Sequence, residues 1–311
     1  MDKIALLVPC YNEEKTIEKV IVDAKKHIPG VTIYVYDNNS KDRTVELATA
    51  AGAVVRHEYQ QGKGNVIRRM FREIDAECYI MVDGDDTYPL EYAGEMVEKV
   101  LNYHADMVIG DRLSSTYFAE NKRPFHNMGN KMVRGSINKL FQCDIRDIMT
   151  GYRAFSYEFV KTFPILSAGF EIETEMTIHA VNNKMDIANV IVDYRDRPNG
   201  SVSKLNTYSD GLKVMNTIFR LFRNYKPLSF FTTLSVLLTI FSLGFFIPIL
   251  ITFFETGLVP RIPTLVVCGF AEIAAVQSFF SGLILSNLAD KNRRDFEYRL
   301  CVLTQNKKNR I

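Results

Sequence analysis

Asp83, Asp85 and Asp86 fall within four residues at the end of an apolar run, Cys78–Val82. Carboxylates spaced so closely repel one another and lose hydration when partly enclosed; a divalent cation relieves both costs. Carboxylate and phosphate oxygens are hard donors, which predicts Mg2+ or Mn2+ before zinc. Such an ion would bridge two phosphates and stabilise charge on a departing diphosphate. The competing reading is an ordinary acidic turn ahead of Pro89. Asp37 closes a second apolar run and offers its carboxylate to a base N–H or a ribose hydroxyl, while Glu13 is suited to sugar or base. Lys63 stands between Gly62 and Gly64, where little bulk hinders approach to a phosphate, although a solvated turn fits the same residues.

These residues need elements that bring them together. Strands are expected at Ile4–Val8, Val31–Tyr36, Ala53–Arg56 and Cys78–Val82, with helices over 12–28, 42–51 and 65–75 between them. The first helix carries the stripe Ile17, Val20, Ile21 and Ala24. Gln61–Asn65 is expected as a turn, and Asn38 and Asn39 as residues that sustain unusual turn dihedrals. This alternation argues an α/β fold built on a mostly parallel open sheet. Right-handed crossovers would gather Pro9–Glu13, Asp37–Thr44, Gly62–Gly64 and Asp83–Asp86 along one sheet edge, where ligands of such folds bind. Neither GxGxxG nor GxxxxGK[ST] is present, which weakens dinucleotide and P-loop readings.

The solvent changes at Pro227. Segment 228–254 holds no charged residue and segment 264–289 holds only Glu272, each enough helix to cross roughly 30 Å of hydrocarbon. Arg220, Arg223 and Lys226 precede the pair, and Lys291, Arg293 and Arg294 follow it. The positive-inside rule then places both termini in the cytoplasm and 255–263 outside. Two buried helices of a soluble domain are the alternative. The expected organisation is a catalytic domain over 1–206, an amphipathic juxtamembrane segment over 207–227, a transmembrane hairpin over 228–289 and a basic tail over 290–311. A net charge of +2 gives no reason to propose a nucleic acid partner, and five cysteines without CxxC spacing fit free thiols in a reducing compartment. Glu272 could help build a site, contact a partner helix or snorkel to the interface.

Taken in order, Pro9-x-Tyr11-Asn12-Glu13, Asp37-Asn38-x-Ser40-x-Asp42-x-Thr44 and Asp83-x-Asp85 resemble glycosyltransferase family 2 on a GT-A fold. Gly110-Asp111-Arg112, Thr150-Gly151-Tyr152-Arg153 and Gly169-Phe170-Glu171-Ile172-Glu173 are similar to its polyprenyl-phosphate branch, the group of dolichol-phosphate mannose synthases and undecaprenyl-phosphate glucosyltransferases. The resemblance covers nearly the whole chain. It implies a GT-A-like catalytic domain followed by interfacial helices and two C-terminal transmembrane helices. It also implies nucleotide-sugar contacts at Pro9, Tyr11, Glu13, Asp37, Lys63, Asp83 and Asp147, with Asp85 as metal ligand. Asp83 and Thr87 are candidates for further coordination; Thr87 stands where relatives often carry Gln.

On the acceptor side, Arg112, Lys122, Arg123, Lys131 and Arg134 surround an amphipathic stretch suited to a membrane surface or to packing on the sheet. Arg195–Lys204 offers basic and hydroxyl groups suited to clamping a phosphate, or a solvated charge run. Arg112, Arg153, Arg197, Ser203 and Lys204 are the expected acceptor-phosphate contacts, and Asp85, Arg112, Arg153 and Lys204 the expected catalytic group.

The implied reaction is inverting, metal-dependent transfer of a hexose or N-acetylhexosamine from a nucleotide-diphosphate sugar to undecaprenyl phosphate at the bacterial cell membrane. UDP-glucose or UDP-N-acetylglucosamine is preferred as donor. A GDP-mannose enzyme, a processive polysaccharide synthase and a nonenzymatic membrane scaffold are the rivals. A chain with no tryptophan lacks the QxxRW segment of the processive class. Association of copies through the spans stays open.

Overall fold

The computed structural model describes residues 1–112, 134–135, 138–139, 145–169, 171–195, 219–220, 222–259 and 261–308. The chain divides into two compact units, Met1–Gly211 with Arg299–Ile311, and Leu212–Tyr298.

The first unit is built on seven strands: β1 Asp2–Cys10, β2 Thr32–Asp37, β3 Val54–His57, β4 Ala76–Met81, β5 Met107–Asp111, β6 Arg153–Ser156 and β7 Ile187–Ile191. Their spatial order is β3-β2-β1-β4-β6-β5-β7. All run parallel except β6, which is antiparallel to both β4 and β5. Strands β4 to β6 are almost wholly buried, which explains their continuous apolar character where an exposed sheet would alternate. The expected mostly parallel sheet with flanking helices is therefore present. Its second half, with the inverted β6, is an addition to what the residue pattern predicts.

The crossover helices are α1 Ile17–His27, α2 Thr44–Ala50, α3 Lys63–Glu73 and α4 Ala93–Leu101. The expected stripe of α1 is the face it buries. This helix starts at Ile17 and not at 12, because residues 12–14 are engaged with the β2–α2 loop. Ser40 Oγ accepts from Asn12 N–H at 2.9 Å, Thr44 Oγ1 from Glu13 N–H at 2.8 Å and Asn12 Oδ1 from Lys41 N–H at 2.8 Å. Asn12 itself sits at φ 55, which a helix does not allow. Two further helices follow, α5 Tyr157–Thr162 and α6 Ile172–Asn182. Ser156 caps α5, its hydroxyl accepting from Phe159 N–H at 3.1 Å.

The second unit holds α7 Pro227–Thr256 and most of α8 Ile262–Lys308. Both are long and apolar enough to cross a membrane, with mean hydropathies of 2.5 and 1.6 over their most apolar stretches. They pair antiparallel: Ser242 Oγ donates to Cys268 O at 3.0 Å, Thr239 Oγ1 to Glu272 Oε1 at 3.4 Å, and Phe231 lies against Gly282. A Cβ on Gly282 would stand 2.9 Å from that of Phe231, so the small residue permits the close approach. Gly257, at φ 70, closes α7 with its N–H on Phe253 O. Helix α8 runs on past 289, since residues 290–308 contain neither glycine nor proline.

Candidate active site

The C-terminal ends of β1, β2 and β4 lie side by side, and their loops bring the predicted donor residues together. Burial pushes the Cys10 thiol well above its ordinary range, and the charges of Glu13, Asp37, Asp83 and Asp85 add to the effect. Four carboxylates from three loops therefore share the neighbourhood of one buried sulfur. Gly84 makes this possible, since a Cβ there would meet Cys10 Sγ at 2.8 Å. Thr16 ties the same loop down, its hydroxyl donating to Gly84 O at 2.7 Å. Pro9, near the end of β1, and Tyr11 and Glu13, on the loop that leaves it, are half-buried.

Asp37 is buried at the end of β2. Its oxygens accept from Ser40 N–H at 3.2 and 3.3 Å, and His57 Nδ1 lies 3.3 Å from Oδ2. Asn39 takes the expected left-handed turn at φ 68. Asn38 instead organises the loop beyond β3: its amide donates to Glu58 O and Gln60 O at 2.8 and 2.9 Å, and its oxygen accepts from Gly62 N–H at 2.7 Å.

The three acids of the β4 loop diverge, each toward its own partner. Asp85 is 4 % exposed, and its Oδ1 accepts from the Thr87 hydroxyl at 2.7 Å. Asp83 Oδ1 pairs with Lys63 Nζ at 2.5 Å. Asp86, at φ 56, pairs with Lys19 and lies 3.7 Å from Arg195 Nη1. The mutual repulsion that the spacing implies is relieved by these partners. Among the described residues no three histidine, cysteine or acidic side chains form a ready metal cage.

Lys63 corrects the expected turn, for it opens α3. Its side chain is 9 % exposed, and its ammonium bridges Asp83 Oδ1 at 2.5 Å and Glu173 Oε1 at 2.6 Å. Burial opposes its charge, but the two carboxylates outweigh that and hold it protonated well above the usual lysine range. Glu173, in the first turn of α6, is the residue that reasoning from sequence passed over; its only signal was membership of the Gly169–Glu173 motif. Gly151 lies against the pair, since a Cβ there would stand 2.5 Å from Asp83 Oδ2 and 3.1 Å from Lys63 Nζ.

Arg112 follows β5 and donates from Nε to Asp147 Oδ2 at 2.9 Å and from Nη1 to Tyr88 Oη at 3.3 Å, with its guanidinium 5.6 Å from the Tyr194 ring centroid. Tyr88 Oη also accepts from Gly151 N–H at 3.2 Å. Arg112 and Asp147 are thus one buried ion pair, next to the loop that packs on Asp83.

Arg153 contradicts its expected role as a phosphate contact. Its side chain is fully buried and donates to Thr150 O at 3.1 Å, Ile148 O at 2.6 Å and Thr177 Oγ1 at 2.9 Å. Burial also pulls its guanidinium down to about 10, the cost of enclosing a charge with no carboxylate in hydrogen-bond contact among the described residues. It holds the 148–150 loop in shape. Arg197, Ser203 and Lys204, the amphipathic stretch from Lys122 to Lys131 and most of the juxtamembrane segment lie outside the described residues. The segment leading to the first three is anchored on the acidic loop, with Arg195 N–H donating to Thr87 O at 2.9 Å.

Residues 5–163 match the family model of glycosyl transferase family 2. The glycosyltransferase AglJ of Haloferax volcanii is 33 % identical over 244 residues, 78 % of this chain and 80 % of the relative. The chain belongs to glycosyl transferase family 2. The dolichyl-phosphate hexose transferase of Haloferax volcanii is 28 % identical over 219 residues, covering 70 % of this chain and 93 % of the relative. Among solved structures, glucosyl-3-phosphoglycerate synthase from Mycobacterium tuberculosis with uridine diphosphate superposes at a TM-score of 0.58, with 21 % identity over 70 % of this chain and 79 % of that one. The same synthase holding Mn2+, UDP-glucose and phosphoglyceric acid gives 0.52 at the same identity and coverage. The fold is GT-A-like, and the protein is a membrane-associated glycosyltransferase with polyprenyl-phosphate hexosyltransferases among its homologues. A nonenzymatic scaffold is thereby excluded.

Proposed function

We propose that this family 2 enzyme transfers a hexose or N-acetylhexosamine from a uridine-diphosphate sugar to undecaprenyl phosphate, with inversion at the anomeric carbon. The observation that carries the reading is the joining, in one chain, of the Asp37–Asp83–Asp85 strand edge to two helices able to span a bilayer. A relative whose name is a dolichyl-phosphate hexose transferase, aligned over 93 % of its own length, supports the acceptor class.

In this reading Tyr11, Glu13, Asp37 and Asp83 surround base and ribose. Asp85, backed by Thr87, presents hard carboxylate oxygen at the strand end, the donor chemistry that suits Mg2+ or Mn2+. When bound there, such a cation neutralises charge developing on the departing diphosphate. Thr87 is engaged with Asp85 and serves the site by holding that carboxylate in place, while Asp83, paired with Lys63, faces the nucleotide.

The acceptor phosphate is already anionic near neutral pH and needs orientation more than a strong base. Its oxygen forms the new bond to the anomeric carbon as the bond to the diphosphate breaks, the electron pair leaving with the nucleotide. Arg197, Ser203 and Lys204, in the segment that leaves the acidic loop at Arg195, complete the phosphate clamp; Arg112 stabilises its neighbour Asp147 at that edge. The catalytic domain and both termini lie in the cytoplasm of a bacterial cell, with 255–263 outside.

The reading is tested with the full chain in detergent and Mn2+. Asp85→Ala is expected to lower sugar transfer by at least about 10^3-fold while thermal unfolding stays cooperative, because orientation and charge stabilisation are lost together. Near-normal transfer by that variant at saturating Mn2+ would refute the role of Asp85.

A further inference from the structure

In the Lys63–Asp83–Glu173 triad one ammonium meets two carboxylates, and Glu173 also favours the charge of the buried Arg153. Lys63 and Asp83 already form a complete pair at 2.5 Å. Glu173, whose side chain is 6 % exposed, adds a second enclosed negative charge 2.6 Å from the same ammonium. Replacing a whole buried ion cluster by apolar groups is often tolerated, whereas removing one partner strands the charge of the other. Glu173 stands in the first turn of α6, whereas Asp83 follows β4 and Lys63 opens α3.

The region is fixed on every side. Gly64 N–H donates to Ala168 O at 3.0 Å. Glu175 accepts from Leu166 N–H and Ser167 N–H at 3.1 and 3.0 Å, so α6 also shapes the loop that receives α3. Within this frame the ammonium lies almost equally far from its two carboxylates and is divided between them. Asp83 Oδ2 lies beside Gly151, where an added Cβ would stand 2.5 Å from it.

We infer that Glu173 is a positioning residue for nucleotide binding: by sharing the Lys63 ammonium it leaves Asp83 placed to accept from the ribose of the donor. This rests on the reading of the strand edge as the nucleotide-sugar site. With Glu173 neutral, the ammonium passes wholly to Asp83 and competes with the ligand for it.

The test uses calorimetric titration of the full-length protein in detergent and Mn2+ with UDP and, separately, GDP. Glu173→Gln keeps size and a hydrogen-bond acceptor; it is expected to weaken the preferred nucleotide about tenfold, the scale of one charge-assisted hydrogen bond. Donor KM should rise by the same factor while kcat at saturation stays within about threefold, a split that loss of structure would not produce. In a Lys63→Met background the Glu173→Gln change should cause no further loss, because its effect runs through the ammonium. Unchanged nucleotide affinity in Glu173→Gln, or a full additive loss in the double variant, would overturn the inference. A wild-type protein that binds neither UDP nor GDP would instead overturn the donor-site reading beneath it.

Discussion

Thr87 shows how far a residue's type and a residue's task can diverge. It occupies a position where a further metal ligand was expected, yet its hydroxyl donates to Asp85 and holds that carboxylate at the strand end. Groups that orient a metal ligand commonly change metal affinity by about 10–100-fold when removed. Thr87→Val is therefore predicted to raise the half-saturating Mn2+ concentration for transfer about tenfold, at the low end of that range, with Thr87→Ser restoring it. An unchanged metal requirement would show that Asp85 needs no such support. At this scale the acids themselves were legible in the sequence, because their types and spacing at strand ends announce charge chemistry. Their partners were not. Lys63 was expected to face a phosphate, but its neighbours are set by α6, far along the chain, and Arg153 was expected at a phosphate although three buried donor contacts hold it in the interior.

Among the elements, α3 and the loop ahead of α6 are joined where two glycines permit backbone contact. Gly62 has φ 130, and a Cβ on Gly64 would stand 2.9 Å from Ser167 C and 3.0 Å from Ala168 C. Gly64→Ala must push this backbone apart, and overpacking of this kind costs about 1–3 kcal/mol. The predicted result is a lower Tm together with weaker nucleotide binding, because Lys63 moves with the start of α3. A Tm and a nucleotide Kd both equal to wild type would contradict the close approach. The first four strands could be read from sequence because helices of regular length separate them. Strands β5 to β7 could not: they have five, four and five residues, and the inverted β6 acquires its place only by pairing with β4 and β5 across long stretches of chain.

At the scale of the whole molecule, the chain combines a GT-A-like unit with a pair of apolar helices, and the end of the last helix belongs to the first unit. There Lys307 Nζ meets Glu158 Oε1 at 2.9 Å and lies 5.6 Å from the Tyr157 ring centroid. The two apolar helices were plain from composition, since a long uncharged run has few other uses. The continuation of α8 past residue 289 was hidden, because its charged residues resemble a solvated tail. The central claim is that the sugar acceptor is a lipid phosphate, and one measurement addresses it directly. The full-length protein in detergent is given radiolabelled UDP-glucose or UDP-N-acetylglucosamine, Mn2+ and undecaprenyl phosphate, and the label is partitioned between organic and aqueous phases. The account predicts metal-dependent label in an organic-phase product that mild acid returns as free sugar. Label that remains entirely aqueous, with the same outcome when radiolabelled GDP-mannose replaces the uridine donors and with nucleotide bound, would contradict it.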